Sequence, residues 1–306
     1  MSDLDRLRIE REARHDHADR GNPGRYGAAI NRYLGAVGYR PDEPARPAPR
    51  PASSPSSATS GLVLVGVDEN PPSYTAVDHA AIEAELRGWD LRIVHVQRTG
   101  GIRPSAQEGG ASLLERLTDR VRAYSPTVAV TSRLLVGSAA PLLLAEARDA
   151  GLVVVGHQHG AVGAAFGVSV GDRVAVDHTG VVLVVRVPGW PAGPGFGTRP
   201  VVVGVDRDDS PAIGFARREA LLRGSDLVVL HADTTPRAAR VETVGGVRIH
   251  RRFVAEDPAV ALVEASNEAA ALVIGRHGPG GIPAGLLGSV SRSVVQRAHC
   301  PVFLVG

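Results

Sequence analysis

The stretch PVVVGVD at residues 200–206 repeats the stretch LVLVGVD at residues 62–68. Each is a short aliphatic run, typical of a buried strand in a parallel sheet, and each ends in an aspartate. A second pair of runs, LRIVHV at 91–96 and LVVLHA at 227–232, follows at almost the same spacing along the chain. Two matching anchors at nearly equal spacing predict that the chain contains an internal repeat.

Strand-like and helix-like segments alternate within each copy of the repeat. In the first copy we predict strands at 62–67, 91–96, 128–136, 152–156 and 180–187, and helices at 73–87, 113–123 and 140–150. In the second copy we predict strands at 200–205, 227–232, 247–254, 271–275 and 301–305, and helices at 213–223, 258–269 and 289–297. This alternation predicts an α/β fold of two repeated, open, five-stranded, mostly parallel sheets with flanking helices.

One helix of the first copy has no obvious counterpart in the second. Only residues 233–246 separate the second predicted strand of that copy from the third. We therefore expect the second copy to have lost this helix or to keep a single turn of it.

Composition divides the chain into four parts. Residues 1–60 are charged and then rich in proline and serine, and we expect a disordered tail there. Within the tail, RYGAAINRYLGAVGY at 25–39 allows two interpretations, a weakly ordered segment or a short amphipathic helix that docks a partner. Residues 61–187 and 200–306 are the repeats, and residues 188–199 form a linker rich in proline and glycine.

Bulk composition excludes several kinds of site. The sequence has no lysine, which excludes a Walker phosphate loop and a Schiff-base enzyme. Its single cysteine, Cys300, excludes an internal disulfide and a cysteine-rich zinc site. The formal net charge is +2, so we expect no nucleic-acid partner, and no apolar run is long enough to span a bilayer. We expect a cytoplasmic protein.

The clearest functional signal follows the strand ALVIG of the second copy. The chain continues through a first cluster, Gly275-Arg276-His277-Gly278, and, after nine residues, a second, Gly288-Ser289-Val290-Ser291-Arg292, which opens a helix. Glycines let backbone approach a phosphate, successive N–H groups form an anion nest, and a helix N-terminus adds its positive dipole end. The alternative is a surface loop with a helix cap. The position after a strand and before a helix favours a phosphate-binding loop.

Asp206 follows the first strand of the second copy and faces the same edge. Its carboxylate can accept hydrogen bonds from a ribose hydroxyl or an adenine amine, although an aspartate there can also cap the next helix. Because Ser210-Pro211 provides a better cap, we expect Asp206 to be available to a ligand. Ala232, after the second strand, is expected to contact a base through its backbone.

These motifs resemble the universal stress protein family, with Gly-x2-Gly-x9-Gly-Ser followed by a helix and by the strand that starts at Cys300-Pro301-Val302. The resemblance covers about 61–187 and 200–306. It implies a Rossmann-like, adenine nucleotide alpha hydrolase-like fold that pairs through its last strand, here as an internal pseudo-dimer. It also implies ATP or AMP binding, with or without Mg²⁺, and leaves open whether two chains pair further or bind another protein. By position, the implied site is Gly204, Asp206, Ala232, Gly275, His277, Gly278, Gly288, Ser289, Val290 and Ser291.

The first copy departs from this pattern. Its loop, Gly156 to Gly160, is one residue too long, and Gly171-Asp172 stands where Gly-Ser is expected. A carboxylate at Asp172 repels phosphate, so we predict that the first copy binds nucleotide weakly or not at all. His157 and His159 have no third ligand at a suitable spacing, and we expect no metal site.

Three functions remain open. The first is a nucleotide-binding regulator of the stress response that needs no turnover, because no nucleophile–base pair is visible in the sequence. The second is a slow ATPase or an adenylyl-transfer enzyme in which His277 is the acid or base. The third is a scaffold in which the loop is vestigial and the N-terminal tail recruits partners.

Overall fold

The structure is a computed structural model that describes residues 24–36, 61–97, 104–157, 169–186, 195–232, 238–276 and 287–306. A helix, α1 (Arg25–Ala36), precedes both repeats. The first repeat contains β1 (Leu62–Val67), α2 (Pro71–Arg87), β2 (Asp90–Gln97), α3 (Pro104–Tyr124), β3 (Val130–Val136), α4 (Ala139–Glu146), β4 (Leu152–His157), α5 (Val170–Asp177) and β5 (Val182–Arg186). The second contains β6 (Val201–Val205), α6 (Pro211–Arg223), β7 (Leu227–Ala232), β8 (Arg240–Val244), β9 (Val247–Val254), α7 (Pro258–Ala265), β10 (Ala271–Gly275), α8 (Ser289–Arg297) and β11 (Val302–Val305).

All of these strands join in one 11-stranded sheet, in the order β3-β2-β1-β4-β5-β11-β10-β6-β7-β9-β8. Pairing is parallel within each repeat except between β8 and β9. The repeats meet where β5 pairs antiparallel with β11, and Leu183 lies opposite Phe303 at the centre of that pair. The predicted fold of two α/β repeats arranged as an internal pseudo-dimer is confirmed, and its two sheets are continuous.

Strand residues alternate between two cores, one on each face of the sheet. In β1, for example, Val63 and Val65 belong to the core covered by α1, α2, α3 and α6, whereas Leu64 belongs to the core on the opposite face. The cores are aliphatic, as the low aromatic content of 4% requires. Buried strands of this kind leave the strand ends and the following loops to carry function.

The segment that precedes the repeats includes a buried helix. Tyr26, Ile30 and Tyr33 of α1 are buried in the same core as α2 and α6, and the Tyr33 hydroxyl donates to Ser125 Oγ at 3.2 Å. The Arg223 guanidinium lies 4.9 Å from the centre of the Tyr26 ring. Of the two interpretations given for 25–39, the described residues 25–36 form the helix, and it contacts both repeats of its own chain. The remainder of residues 1–60 lies outside the described part, apart from Gly24.

A hairpin replaces the helix that the second repeat lacks. Within the described residues 238–254, β8 and β9 pair antiparallel across Gly245 and Gly246, whose φ values are +57° and +82°. Positive φ at both turn positions gives the tight turn that matches strand twist, and glycine adopts it without strain. The prediction that one helical turn at most remains there missed this additional strand.

A ring of four charges joins α2 to α6 beneath α1. Arg87 binds Glu83 and Glu219, and Arg223 binds the same two carboxylates. All four side chains are largely buried. Burial lowers the pKa of Arg223, but the carboxylates of Glu83 and Glu219 outweigh that effect and raise it. Arg223 therefore stays charged, and the four side chains join one repeat to the other.

Candidate functional site

The strand order of the second repeat changes direction between β6 and β10. The chain leaves β6 toward β7 on one side, whereas β10 lies on the other side of β6, which makes this point a topological switch. Ligands of open α/β sheets bind at such a point, beyond the carboxyl ends of the strands. Asp206, Ala232 and Gly275 stand at the carboxyl ends of β6, β7 and β10, so the fold brings these three predicted residues to one edge.

The N-terminus of α8 lies at the same edge. Gly288 is the N-cap residue, with φ −56° and ψ 154°, and it has no side chain to cap the helix. Its own N–H donates to the carbonyl of Arg276 at 3.0 Å, and its carbonyl accepts the first helical bond, from Arg292, at 2.9 Å. The N–H groups of the first turn, Ser289 to Ser291, have no acceptor within the helix and carry its positive end.

Ser291 has a structural contact of its own. Its side chain is buried, and its hydroxyl donates to the carbonyl of Gly275 at 2.7 Å. This bond ties the first turn of α8 to the end of β10. The hydroxyl proton is thereby used, so Ser291 offers a ligand its backbone N–H, whereas Ser289 is exposed.

Gly204 packs against a helix. A Cβ built on Gly204 would approach Leu262 Cδ1 of α7 to 2.7 Å, which places its missing side chain on the face of the sheet. The other predicted loop residues, His277 and Gly278, lie outside the described residues. The described site therefore consists of the ends of three strands and the start of α8.

Asp68, the aspartate of the first repeat, is held within its own loop. Its carboxylate accepts hydrogen bonds from Ser73 Oγ at 2.8 Å, from the Asn70 backbone N–H at 3.0 Å and from Asn70 Nδ2 at 2.8 Å. Three local donors satisfy most of what an aspartate carboxylate can accept. This aspartate therefore has little capacity left for a ribose or a base.

Asp206 stands in the same place with different neighbours. The residues two and five positions after Asp206 are Asp208 and Pro211, where the first repeat has Asn70 and Ser73 after Asp68, and neither a carboxylate nor a proline ring is a donor. Asp206 is 44% exposed, and Arg207 Nε lies 3.9 Å from its carboxylate. Both aspartates are exposed, but the Asp68 carboxylate is hydrogen-bonded within its own loop, whereas the Asp206 carboxylate has a longer contact with Arg207.

Ser210 begins α6 as predicted, with Pro211 in the first turn. The predicted hydrogen bond from its side chain is wrong, because the Ser210 side chain makes no capping bond. Asp206 lies four positions before the N-cap residue Ser210, so it does not cap α6.

The N-terminus of α5 in the first repeat is closed by its own side chains. Ser169 Oγ accepts from the Asp172 N–H at 3.0 Å, and Asp172 Oδ2 accepts from the Ser169 N–H at 3.1 Å. Burial raises the pKa of Asp172, but hydrogen bonds from His157 and Ser169 outweigh it and lower the pKa overall. An ionised carboxylate therefore occupies the positive end of this helix.

The pseudo-symmetry corrects one predicted correspondence. Leu183 lies opposite Phe303, and the helix before each ends with an equivalent bond, from His178 N–H to Val174 O and from Ala298 N–H to Val294 O. Counting back from these matched positions, Asp172 corresponds to Arg292, and Ser169 corresponds to Ser289. The first turn of the helix thus carries opposite charge in the two repeats, and Asp172 does not replace the serine of Gly-Ser.

Arg276, inside the glycine-rich motif, turns away from the switch point. It is buried, its Nε donates to the carbonyl of Ala175 at 3.1 Å, and its Nη2 donates to the carbonyl of Gly180. Arg186 of the first repeat likewise donates to the carbonyl of Ala298 at 2.7 Å. These arginines join the repeats. The sequence carried no signal for this role, since the partners lie far away along the chain.

The described residues contain no group of three or more His, Cys, Asp or Glu side chains placed to hold a metal ion. No helix in the same part of the chain is both long enough and apolar enough to cross a membrane. His159, the second histidine of the first-repeat loop, lies outside that part.

The sequence matches the family model described as universal stress protein family over residues 61–186 and 237–306. It is 31% identical to the universal stress protein Rv1996 of Mycobacterium tuberculosis, over 79% of this chain and 94% of that protein. It is 31% identical to Rv2623 of the same organism, over 81% of this chain and 98% of that protein. A universal stress protein from Archaeoglobus fulgidus shares the fold, with a TM-score of 0.64 at 16% identity, over 81% of this chain and 98% of that chain.

Proposed function

The chain belongs to the universal stress protein family, and from that premise we propose that its second repeat binds an adenine nucleotide and that the protein is a stress-response regulator. The proposed ligand is ATP or AMP, with or without Mg²⁺. Occupancy of the site, without any need for turnover, changes the surface that the protein presents to a partner.

One observation carries the proposal. An uncapped helix N-terminus and an accessible carboxylate flank the switch point of the second repeat, whereas the same two features of the first repeat are satisfied internally. An uncapped helix start favours a phosphate, and a free carboxylate favours a ribose hydroxyl or an exocyclic amine. A nucleotide has both groups, at opposite ends of one molecule.

Every predicted residue except Gly204, which packs against α7, has a role in this proposal. The N–H groups of Ser289, Val290 and Ser291 bind phosphate together with the loop that contains His277 and Gly278. Gly275 and Gly288 let that loop approach the phosphates closely. Asp206 and the Ala232 backbone hold ribose and adenine. Arg292, exposed on the first turn of α8, adds positive charge on the phosphate side.

The site holds phosphate without a lysine. The sequence contains none, so the positive potential comes from backbone N–H groups, the helix dipole and arginine. This chemistry suits binding of a nucleotide in a stable complex. A slow ATPase centred on His277 is the second candidate, and the same experiment tests it.

The experiment starts from the full chain as purified. It is denatured, and any released adenine nucleotide is identified by chromatography and mass spectrometry. The native protein is then titrated with ATP and AMP, and phosphate release from ATP is followed. We expect saturable binding and no phosphate release above background. Absence of both a released nucleotide and saturable binding contradicts the proposal, and phosphate release that is lost in His277→Ala favours the enzyme.

A further inference from the structure

We propose that Arg251, on the hairpin β8–β9, positions the loop that carries Asp206 for nucleotide binding by holding Asp208. This inference rests on the proposed function above. Arg251 acts through another side chain and does not touch the nucleotide, so it is a positioning residue.

The contacts of Arg251 join the hairpin to the loop after β6. Its Nη1 donates to Asp208 Oδ1 at 2.7 Å, and its Nε donates to Glu242 Oε1 at 2.9 Å. His231 Nε2 lies 3.3 Å from the same oxygen of Asp208. The Arg251 side chain is 22% exposed, whereas that of Asp208 is 64% exposed. One planar guanidinium, fixed by a carboxylate on its own hairpin, thus holds a carboxylate on the loop.

The first repeat has no equivalent of this contact in its described residues. Strand register places Leu134 opposite His95 and Phe253 opposite His231, so the position of Arg251 corresponds to Ser132. A serine at that position carries no charge and is too short to hold a loop across the sheet edge. Arg251 lies on the hairpin β8–β9, which the second repeat has where the first repeat has α3.

The residue that Arg251 holds also differs between the repeats. In the first repeat, Asn70 turns toward Asp68 and donates to it from both its backbone and its side chain. In the second repeat Asp208, two positions after Asp206, is bound by Arg251, and its carboxylate lies 3.3 Å from His231 Nε2. The loop therefore binds its own aspartate in the first repeat and is bound by the hairpin in the second, which leaves the Asp206 carboxylate to a ligand.

The negative charge of Asp208 also affects nucleotide binding. Asp206 and Asp208 are two positions apart, and an unpaired Asp208 would add a second negative charge next to the carboxylate that holds ribose and adenine, within the field of an anionic ligand. Arg251 neutralises that charge and fixes its position. Removal of the arginine is expected both to release the loop and to raise the local negative potential, and each effect weakens nucleotide binding.

The test measures ATP affinity of the full chain by titration calorimetry in the wild type, in Arg251→Ala and in the control Arg248→Ala. Arg248 lies on the same hairpin, but its side chain is on the other face of the strand. Its replacement by alanine removes the same positive charge without touching the contact with Asp208. We expect Arg251→Ala to weaken binding roughly twofold to fivefold, in the range of a partly exposed ion pair, and Arg248→Ala to leave the affinity unchanged.

A second readout does not need nucleotide. In Arg251→Ala we expect faster hydrogen exchange of the backbone N–H groups of residues 207–210, with no such change in Arg248→Ala. Asp208→Ala releases the loop but also removes the negative charge, so it should weaken ATP binding less than Arg251→Ala does, and the double variant should be no weaker than Arg251→Ala, because both changes break one contact. If the wild type binds ATP while Arg251→Ala matches it in affinity and in exchange, the positioning role is wrong and the proposed function stands. If the wild type does not bind, both are wrong.

Discussion

Ser169 and Asp172 cap the N-terminus of α5 reciprocally, each backbone N–H donating to the side chain of the other. The corresponding helix of the second repeat, α8, starts at Gly288, which has no side chain. The first repeat therefore contains its own anion at the helix start, whereas the described residues of the second repeat place none at the start of α8. This difference between two copies of one fold is the physical basis of the proposed single nucleotide site.

Gly288→Asp should close the second site without harming the fold. An aspartate at an N-cap position accepts from the first-turn N–H groups and places a carboxylate where the phosphate would bind. Because glycine and aspartate differ by only a few tenths of a kcal/mol as N-caps, we expect a nearly unchanged free energy of unfolding. ATP affinity should fall more than tenfold.

Gly288→Ala is the control for that change. It adds a Cβ but no carboxylate, so it separates a steric effect from an electrostatic one. Calorimetric titration and denaturant unfolding of both variants decide the matter. Equal loss of affinity in the alanine and aspartate variants would show that the carboxylate is not the cause.

Asp172→Asn should destabilise the protein in a way that depends on pH. The pKa of Asp172 is lowered in the folded state, so the ionised carboxylate contributes stability above its unfolded pKa of about 4. That contribution is lost as pH falls through the lower folded value. We expect the variant to be roughly 0.3–1 kcal/mol less stable at pH 7, and this difference to shrink below pH 4. A difference that is constant from pH 7 to pH 3 would contradict this account.

Glu219→Gln tests the charge ring between the repeats. The change leaves Arg87 and Arg223 with only Glu83 as a buried anionic partner in the ring. Loss of one partner of a buried ion pair costs about 3–5 kcal/mol, which denaturant unfolding can measure. The double variant Glu219→Met with Arg223→Met removes a whole pair and should recover part of that loss. No recovery would show that the cost comes from packing.

Ile30→Ala tests whether α1 is part of the folded unit. Ile30 is fully buried against the repeats, and truncation of such a side chain costs about 2–5 kcal/mol. Asn31→Ala, at a partly exposed position of the same helix, should change the free energy of unfolding by less than about 0.5 kcal/mol. Equal, small effects of the two changes would mean that α1 does not pack on the repeats in solution.

Local patterns predicted the repeats and most of their elements. The helix at 289–297 and the strand at 271–275 have the predicted limits, because strong periodicity and glycine boundaries mark both. The hairpin β8–β9 was not predicted, because comparison with the first repeat led us to expect the remains of a helix at 233–246. The pair Gly245-Gly246 between two valines is itself a hairpin signal.

Long-range contacts account for what the sequence could not predict. The burial of Tyr33 in α1 depends on residues far along the chain, such as Ser125. The turn of Arg276 toward Ala175 depends on how the repeats pack. Such contacts have no local pattern, so a single sequence does not contain a recognisable signal for them. The different contacts of the Asp68 and Asp206 carboxylates likewise depend on how each loop folds, which the sequence did not predict.

The number of nucleotides bound per chain tests the central claim most directly. Titration calorimetry with ATP is performed on the wild type, on Asp206→Ala and on Asp68→Ala, the matched change in the first repeat. The account predicts one site per chain in the wild type, the same stoichiometry and affinity in Asp68→Ala, and strongly weakened binding in Asp206→Ala. Two sites per chain in the wild type, or loss of binding in Asp68→Ala with retention in Asp206→Ala, would contradict it.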